Sequence, residues 1–203
     1  MGGQYIQFDA IEATAQVALA ISWLFFAVIF FVGRRGAASK GKTTARSNRS
    51  RFGLVLQMIG YAVVFSIARP YFTPIVPMSK WAEATVLLIA TGIGAASIWF
   101  CFAAARTLGK QWSLVARIVE GHELIEAGPF AVVRNPIYLA MFGLLLQAAI
   151  VISMWQAVLP AAVAFLTGTY IRIYEEEKIL RAEFGEKFDD YAKRVPAFLP
   201  RFT

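Results

Sequence analysis

Cysteine and histidine are almost absent: Cys101 and His122 are the single representatives in 203 residues. One cysteine cannot close an internal disulfide, and no C-x-x-C spacing exists, so a disulfide scaffold and a thiol redox motif are excluded. One histidine leaves nothing from which to build a His-rich metal centre, and no metal site is expected. Charge is scarce as well, at 16% of residues, against roughly 25% in soluble domains. Hydrophobic residues make up 58% and mean hydropathy is +0.58. Disorder and a collagen-like fibre are thereby excluded, and a membrane protein is expected. No G-x-G-x-x-G follows a strand-like run, so a Rossmann nucleotide site is not expected.

What is present is a set of long runs without charge. Residues 13–33, 52–68 and 84–105 are such runs, of 21, 17 and 22 residues, and 135–171 is a fourth of 37. A spanning helix takes about 17–25 apolar residues, so each of the first three fits one crossing. As a single helix the fourth would reach ~55 Å at ~1.5 Å per residue, well beyond a ~30 Å hydrocarbon core. It has to fold back. The break is expected at Ser153-Met154-Trp155-Gln156, with Pro160 in the first turn of the next helix, where its missing N–H is tolerated. The expected fold is all-α: five transmembrane helices, the last two a hairpin over 136–173, with helices at about 136–153 and 157–173. Strands of alternating polarity at regular spacing are lacking, which argues against a β-barrel. In the third run, Ala90, Gly92, Gly94 and Ala96 give small residues at i, i+4 spacing suited to close helix packing.

The few charges are unevenly placed. Net charge is +7, from 20 Lys and Arg against 13 Asp and Glu. Segments 34–51, 106–134 and 172–201 together hold 18 of the 20 basic residues, and five crossings put all three on one side. Basic residues collect in the cytoplasm, so the N-terminus is expected outside and the C-terminus inside, in the inner membrane if the cell is prokaryotic. The first run lacks a basic leader and is long for a signal peptide, so it reads as a retained span. Segment 34–51 mixes Gly, Ala, Ser and Thr with seven basic residues. It reads as a mobile loop touching anionic lipid. Without interleaved aromatics it is not a nucleic-acid site.

Two polar segments flank the hairpin, and the hairpin brings their ends together on the basic side. Residues 1–105 thus form a three-helix N-terminal part, and 106–203 the expected catalytic region. The first polar segment contains His122-Glu123-Leu124-Ile125, Gly128-Pro129-Phe130 and Arg134-Asn135-Pro136-Ile137-Tyr138. Gly-Pro signals a turn, and Asn135-Pro136 before an apolar run signals a helix start, with Asn135 as N-cap and Pro136 first in the helix. The second contains Arg172, Glu175-Glu176-Glu177, Leu180, Phe184-Gly185, Tyr191 and Arg194-Val195-Pro196-Ala197-Phe198-Leu199-Pro200. Arg172 and Glu176 are i, i+4 neighbours on a helix, compatible with a plain salt bridge. Three successive acids at a membrane-helix end are less easily dismissed as a salt bridge, but at a water boundary a purely solvated trio is an equal reading.

These two segments resemble the isoprenylcysteine carboxyl methyltransferase family of integral membrane enzymes. That family has a Gly-x-aromatic turn, then Arg-His-Pro-x-Tyr opening a helix. Later come Arg-x-x-x-Glu-Glu, Phe-Gly, a Tyr and a closing Arg-Val-Pro-x-x-Leu-Pro. The resemblance covers about residues 117–202. It implies S-adenosylmethionine (SAM) as the cofactor and a lipophilic or lipidated acceptor in the bilayer, in the namesake case the carboxylate of an isoprenylcysteine. It implies that His122, Glu123, Leu124 and Ile125 line the cofactor, that Phe130 contacts it, and that Asn135, Pro136, Ile137 and Tyr138 form the helix start over it. It implies Glu176 as a cofactor-binding residue and Arg172 as the group facing the acceptor, these two being the catalytic pair. Asn135 stands where the family has His, so a mechanism that uses that imidazole as a base is not expected here.

The chemistry of the residues agrees with these roles. SAM carries a sulfonium and an ammonium that a carboxylate can pair with. Phe130 and Tyr138 offer ring faces to adenine or to the sulfonium. Arg172 can hold an acceptor carboxylate bidentately. Other readings are a phospholipid or amine N-methyltransferase of the same architecture, an NADPH-dependent sterol-type reductase, which needs more spans than this chain supplies, and a non-catalytic membrane scaffold.

Overall fold

The computed structural model describes residues 10–37, 43–46, 49–70, 73–109, 117–119 and 123–200. The chain runs α1 (Ala10–Ala37), β1 (Thr43–Arg46), α2 (Arg49–Ser66), α3 (Lys80–Leu108), β2 (Arg117–Val119), α4 (Pro136–Ile152), α5 (Trp155–Phe184) and α6 (Glu186–Arg194). Among the described residues, three helices are long and apolar enough to cross a membrane: α1 over Ala10–Gly33, α3 and α5. At 18 and 17 residues α2 and α4 are shorter.

Burial explains why α4 can be short. Ten of its 17 residues are buried, and it touches α1, α2, α3 and α5. It is the central helix, and the others screen it. The core runs through all five, from Ala15 and Leu19 on α1 to Tyr61 and Val64 on α2, Leu87 and Ala90 on α3, Leu145 and Ala148 on α4, and Ala161 and Phe165 on α5. The outer faces are apolar too: Phe25 and Phe31 on α1, Leu88 and Trp99 on α3, and Leu159 and Val163 on α5 are exposed. Greasy surface on the outside, with backbone polar groups paired inside helices, is what a hydrocarbon solvent requires.

Successive helices alternate in direction, and one end of the bundle is stitched by the backbone. Arg69 N–H donates to Ile152 O at 3.0 Å and Met154 N–H to Ile67 O at 2.9 Å. Arg69 Nη1 donates to Ser153 O at 2.8 Å, and its Nη2 lies 3.6 Å from the buried Glu12. This end therefore holds the starts of α1, α3 and α5 and the ends of α2 and α4. The polar segments emerge at the other end.

The structure differs from expectation at four places. First, α5 starts at Trp155 and runs on through Arg172 and the three acids to Phe184, eleven residues beyond the expected end at 173. Residues 174–184 contain no Gly or Pro, and Gly185, with φ +54°, ends the helix where a left-handed backbone favours glycine. Second, Pro160 consequently lies in the second turn of α5, inside the helix. Third, part of the basic segment is ordered: β1 pairs antiparallel with β2, Thr43 opposite Val119 and Arg46 opposite Arg117. Fourth, Ala90 and Gly94 are buried as small packing residues, but Gly92 and Ala96 face outward.

Glycines set the approach of α2 to α5. A Cβ at Gly53 would sit 2.6 Å from both Gly168 O and Arg172 Cγ, and one at Gly168 would sit 2.4 Å from Gly53 O. We expect Gly53→Val to force the helices apart and cost about 1–3 kcal/mol, read as a lowered thermal unfolding midpoint in detergent. A Cβ at Gly92 meets nothing within 4 Å, so Gly92→Ala is expected to leave the midpoint unchanged or slightly raised.

Candidate functional site

Three pieces of chain meet at the end away from the stitched turns: the entry to α4, the last turns of α5, and α6 with the segment after it. The entry is shaped by Gly128, at φ +60°, followed by a single 3-10 turn over Gly128–Ala131 with Pro129 in its start. The turn buries Phe130 and delivers the chain to Pro136, the first residue of α4.

At the other side Gly185 breaks the helix, and α6 folds back. Phe188, Tyr191 and Val195 bury themselves against Leu124, Leu180, Phe184 and Ala192. Tyr191 OH donates to Phe130 O at 2.7 Å. Burial pushes the Tyr191 phenol above its ordinary value.

Arg134 ties these pieces together. Its Nη2 lies 2.7 Å from Glu177 Oε1, and both side chains are largely buried. Its Nη1 donates to Ala192 O at 2.9 Å and also to Val195 O. Its backbone N–H donates to Pro196 O at 2.9 Å. Asn135 stands at the N-cap position of α4, as expected, but its side chain makes no capping bond. Nδ2 instead donates to Ala197 O at 2.9 Å. An amide has both donor and acceptor capacity, and here the trailing segment takes the donor. Arg194 adds an outer ion pair to Glu126 at 2.7 Å.

Inside this strap lies a charged cluster. Tyr138 OH donates to Glu176 Oε1. The Arg172 guanidinium carbon lies 4.9 Å from the centre of the Tyr138 ring, a cation–π distance, and Nη2 is 3.8 Å from Glu176 Oε1. Arg172 is buried, but the Glu176 side chain keeps 24% of its surface exposed. A carboxylate within reach of water therefore sits beside a buried guanidinium, over an aromatic ring. Such a cluster can hold a cation and an anion side by side.

Of the residues singled out from sequence, Tyr138, Arg172 and Glu176 come together. Phe130 and Asn135 belong to the wall around them, through the bonds to Tyr191 and Ala197. Pro136 is buried at the helix start, and Ile137 packs on the edge of the core. Leu124 packs against α6, Ile125 is half-buried, and Glu123 is exposed. His122 lies outside the described residues. Sequence reading gave no role to Arg134, nor to Gln57 on α2, whose Oε1 accepts from Arg172 Nη1 at 3.0 Å and whose Nε2 donates to Thr169 Oγ1 at 2.8 Å. Gln57 carried a usable signal: it is the one Gln in an otherwise apolar run, and polar groups inside spans are costly unless used.

A family model described as phospholipid methyltransferase matches residues 85–187. The stretch includes most of α3 and all of α4 and α5, and hence Tyr138, Arg172 and Glu176. Two curated proteins are similar over comparable lengths. The nickel-cobalt-cadmium resistance protein NccN of Alcaligenes xylosoxydans xylosoxydans is 36% identical over 102 residues, 48% of this chain and 46% of that protein. The cobalt-zinc-cadmium resistance protein CzcN of Cupriavidus metallidurans is 34% identical over 100 residues, 48% of this chain and 45% of that protein. The chain thus matches just under half the length of each relative.

Proposed function

The chain belongs to the phospholipid methyltransferase family, which is related to the isoprenylcysteine carboxyl methyltransferases, and we propose that it is a SAM-dependent methyltransferase of the membrane acting on a lipophilic or lipidated acceptor. The observation that carries this reading is the Tyr138–Glu176–Arg172 cluster at one mouth of an apolar bundle. Its residues fit the cofactor: the reachable Glu176 carboxylate suits a sulfonium or ammonium, and the Tyr138 ring already faces a cation. Bound there, SAM supplies an electrophilic methyl carbon to an acceptor oxygen or nitrogen.

The chain's own residues then have positioning work. Glu176 offers the negative charge, and Tyr138 OH orients it. By resemblance His122, Glu123, Leu124 and Ile125 line the donor, with Phe130, Asn135, Pro136 and Ile137 beside them. Arg172 holds the acceptor, and a cation in that place favours a carboxylate such as that of an isoprenylcysteine. A carboxylate acceptor needs no general base, which agrees with Asn135 in place of a histidine. Alignment and exclusion of water then carry the rate enhancement.

The membrane arrangement forms part of the reading. We take all five long helices as crossings, with the N-terminus outside and the C-terminus in the cytoplasm. Their alternating direction and the excess of basic residues in segments 34–51, 106–134 and 172–201 support this. On a span of about 20 residues starting at Trp155, Glu175, Glu176 and Glu177 emerge at the water boundary.

The experiment is methyl transfer from labelled SAM by purified protein to N-acetyl-S-farnesylcysteine and, in parallel, to phosphatidylethanolamine. Label in the farnesylcysteine is expected. Label only in the phospholipid establishes the N-methyltransferase reading, which the family description and the acidic trio Glu175-Glu176-Glu177 favour. With neither labelled, a non-catalytic scaffold stands. Arg172→Met is expected to lower turnover of the carboxylate acceptor by about 100-fold or more, since a charge-assisted bidentate contact is worth ~3 kcal/mol. SAM binding is expected to persist in that variant, because Glu176 remains.

A further inference from the structure

A short stretch of irregular chain reaches into the bundle. After α6, residues 195–200 have no regular secondary structure. Yet the Phe198 ring lies 6.0 Å, centre to centre, from Phe142 on α4 and packs on the edge of the core. Phe142 is six residues past Pro136, so about 9 Å along the helix at ~1.5 Å per residue. Irregular backbone is tolerated at hydrocarbon depth only where its polar groups are satisfied, and this segment meets part of that demand. Pro196 and Pro200 have no N–H to leave exposed. Pro196 O accepts from Arg134 N–H and Ala197 O from Asn135 Nδ2, each at 2.9 Å. The side chains at the tip are apolar, Phe198 half-buried and Leu199 exposed.

The tip lands one layer from the charged cluster. Tyr138 and Phe142 are i, i+4 neighbours on α4, and Arg172 and Phe165 are seven residues apart on α5, so each pair shares a helix face. Phe142 in turn stacks on Phe165 at 5.8 Å. Phe165 is fully buried, whereas Phe142 and Phe198 each keep part of the ring open. The accessible part of the layer beyond the cluster is therefore the Phe142–Phe198 pair. An acceptor with its headgroup at the cluster has to lead its hydrocarbon chain past that layer to reach the bilayer.

We propose that the tip of the segment after α6 is the tail-contacting element of the acceptor site: the first carbons of the lipid chain lie against the rings of Phe198 and Phe142, and Phe198 thereby selects acceptors by their apolar chain. Asn135 seats the tip through Ala197 O. The proposal rests on the reading of the cluster as the acceptor's mouth, and it is the same for a carboxylate and for an amine headgroup.

The test measures binding of tailed and tailless acceptors to purified protein in detergent, for both headgroups. One pair is N-acetyl-S-farnesylcysteine and N-acetyl-S-methylcysteine; the other is dioctanoyl phosphatidylethanolamine and glycerophosphoethanolamine. Wild type is expected to prefer the tailed member of at least one pair. Phe198→Ala is expected to weaken that tailed acceptor roughly tenfold, the scale of one aromatic contact. Binding of the tailless member and of labelled SAM is expected to stay within about twofold of wild type. Phe198→Leu keeps apolar bulk and is expected to hold the preference within about threefold. Should Phe198→Ala not fold, p-benzoylphenylalanine in place of Phe198 retains an aromatic ring and is expected to crosslink under ultraviolet light to the tritiated tailed acceptor.

A tail preference unchanged in Phe198→Ala overturns the proposal. So does a wild type that binds tailed and tailless acceptors equally in both pairs, an absent crosslink, or a variant that loses tailless acceptor or SAM along with the tailed one. If wild type binds no SAM but prefers a tailed acceptor, and Phe198→Ala removes only that preference, the donor reading falls and this one stands.

Discussion

Glu176→Gln is expected to weaken SAM binding by roughly 10- to 100-fold, because a hydrogen-bonded or paired charge contributes ~1.5–3 kcal/mol over a neutral isostere. The substitution retains the shape and an oxygen to accept from Tyr138 OH, so the wall of the site keeps its place. What it removes is the negative charge proposed to face the sulfonium and ammonium groups of the donor. Arg172, 3.8 Å away, also loses that counter-charge, which raises the local positive potential and adds to the penalty. Equilibrium binding of labelled SAM measures the effect, with the thermal unfolding midpoint as the check on folding. Affinity equal to wild type would remove Glu176 from the donor site.

Arg134→Ala is expected to be the most damaging single change to the fold around the site. The guanidinium pairs with Glu177 at 2.7 Å, in a setting where the two side chains keep 11% and 15% of their surface. It also donates to two carbonyls, Ala192 O and Val195 O. Removing one partner of a buried pair costs ~3–5 kcal/mol, since the other charge stays behind without compensation. The loss falls on the strap, because α6 reaches the α4 entry mainly through Arg134, Asn135 and Tyr191. Limited proteolysis in detergent is expected to cut the variant within residues 186–200 well before the wild type is cut there. Loss of methyl transfer is expected to follow, as water enters the mouth. Equal protease resistance would mean that the apolar contacts of Phe188, Tyr191 and Val195 hold the strap alone.

Much of this organisation is legible in the chain. The charge-free runs mark the helices because hydrocarbon tolerates few other side chains. The 37-residue run must turn, and it turns at Ser153 and Met154, where the backbone is paired to Ile67 and Arg69. The order of motifs around Asn135 and Glu176 led to the residues that now lie together. The remainder was hidden for identifiable reasons. The charged end of α5 looks like a solvated segment because helix propensity and polarity do not distinguish a helix that leaves the membrane from one that stops at its surface. The role of Arg134 depends on carbonyls some sixty residues away, which carry no sequence signature. Asn135 has the chemistry of a cap, but a competing acceptor at Ala197 takes its amide. Gln57 meets Arg172, 115 residues later, and the packing of α2 on α5, closest at Gly53 and Gly168, brings the two together.

The central claim is that donor and acceptor meet at the mouth formed by Tyr138, Arg172 and Glu176. Amide hydrogen exchange on the purified protein, with and without saturating SAM, tests it most directly. Added protection is expected in residues 123–138 and 172–180, with no change at the stitched end around Glu12, Arg69 and Ser153. Protection at that stitched end, or an exchange pattern indifferent to SAM throughout, would contradict it.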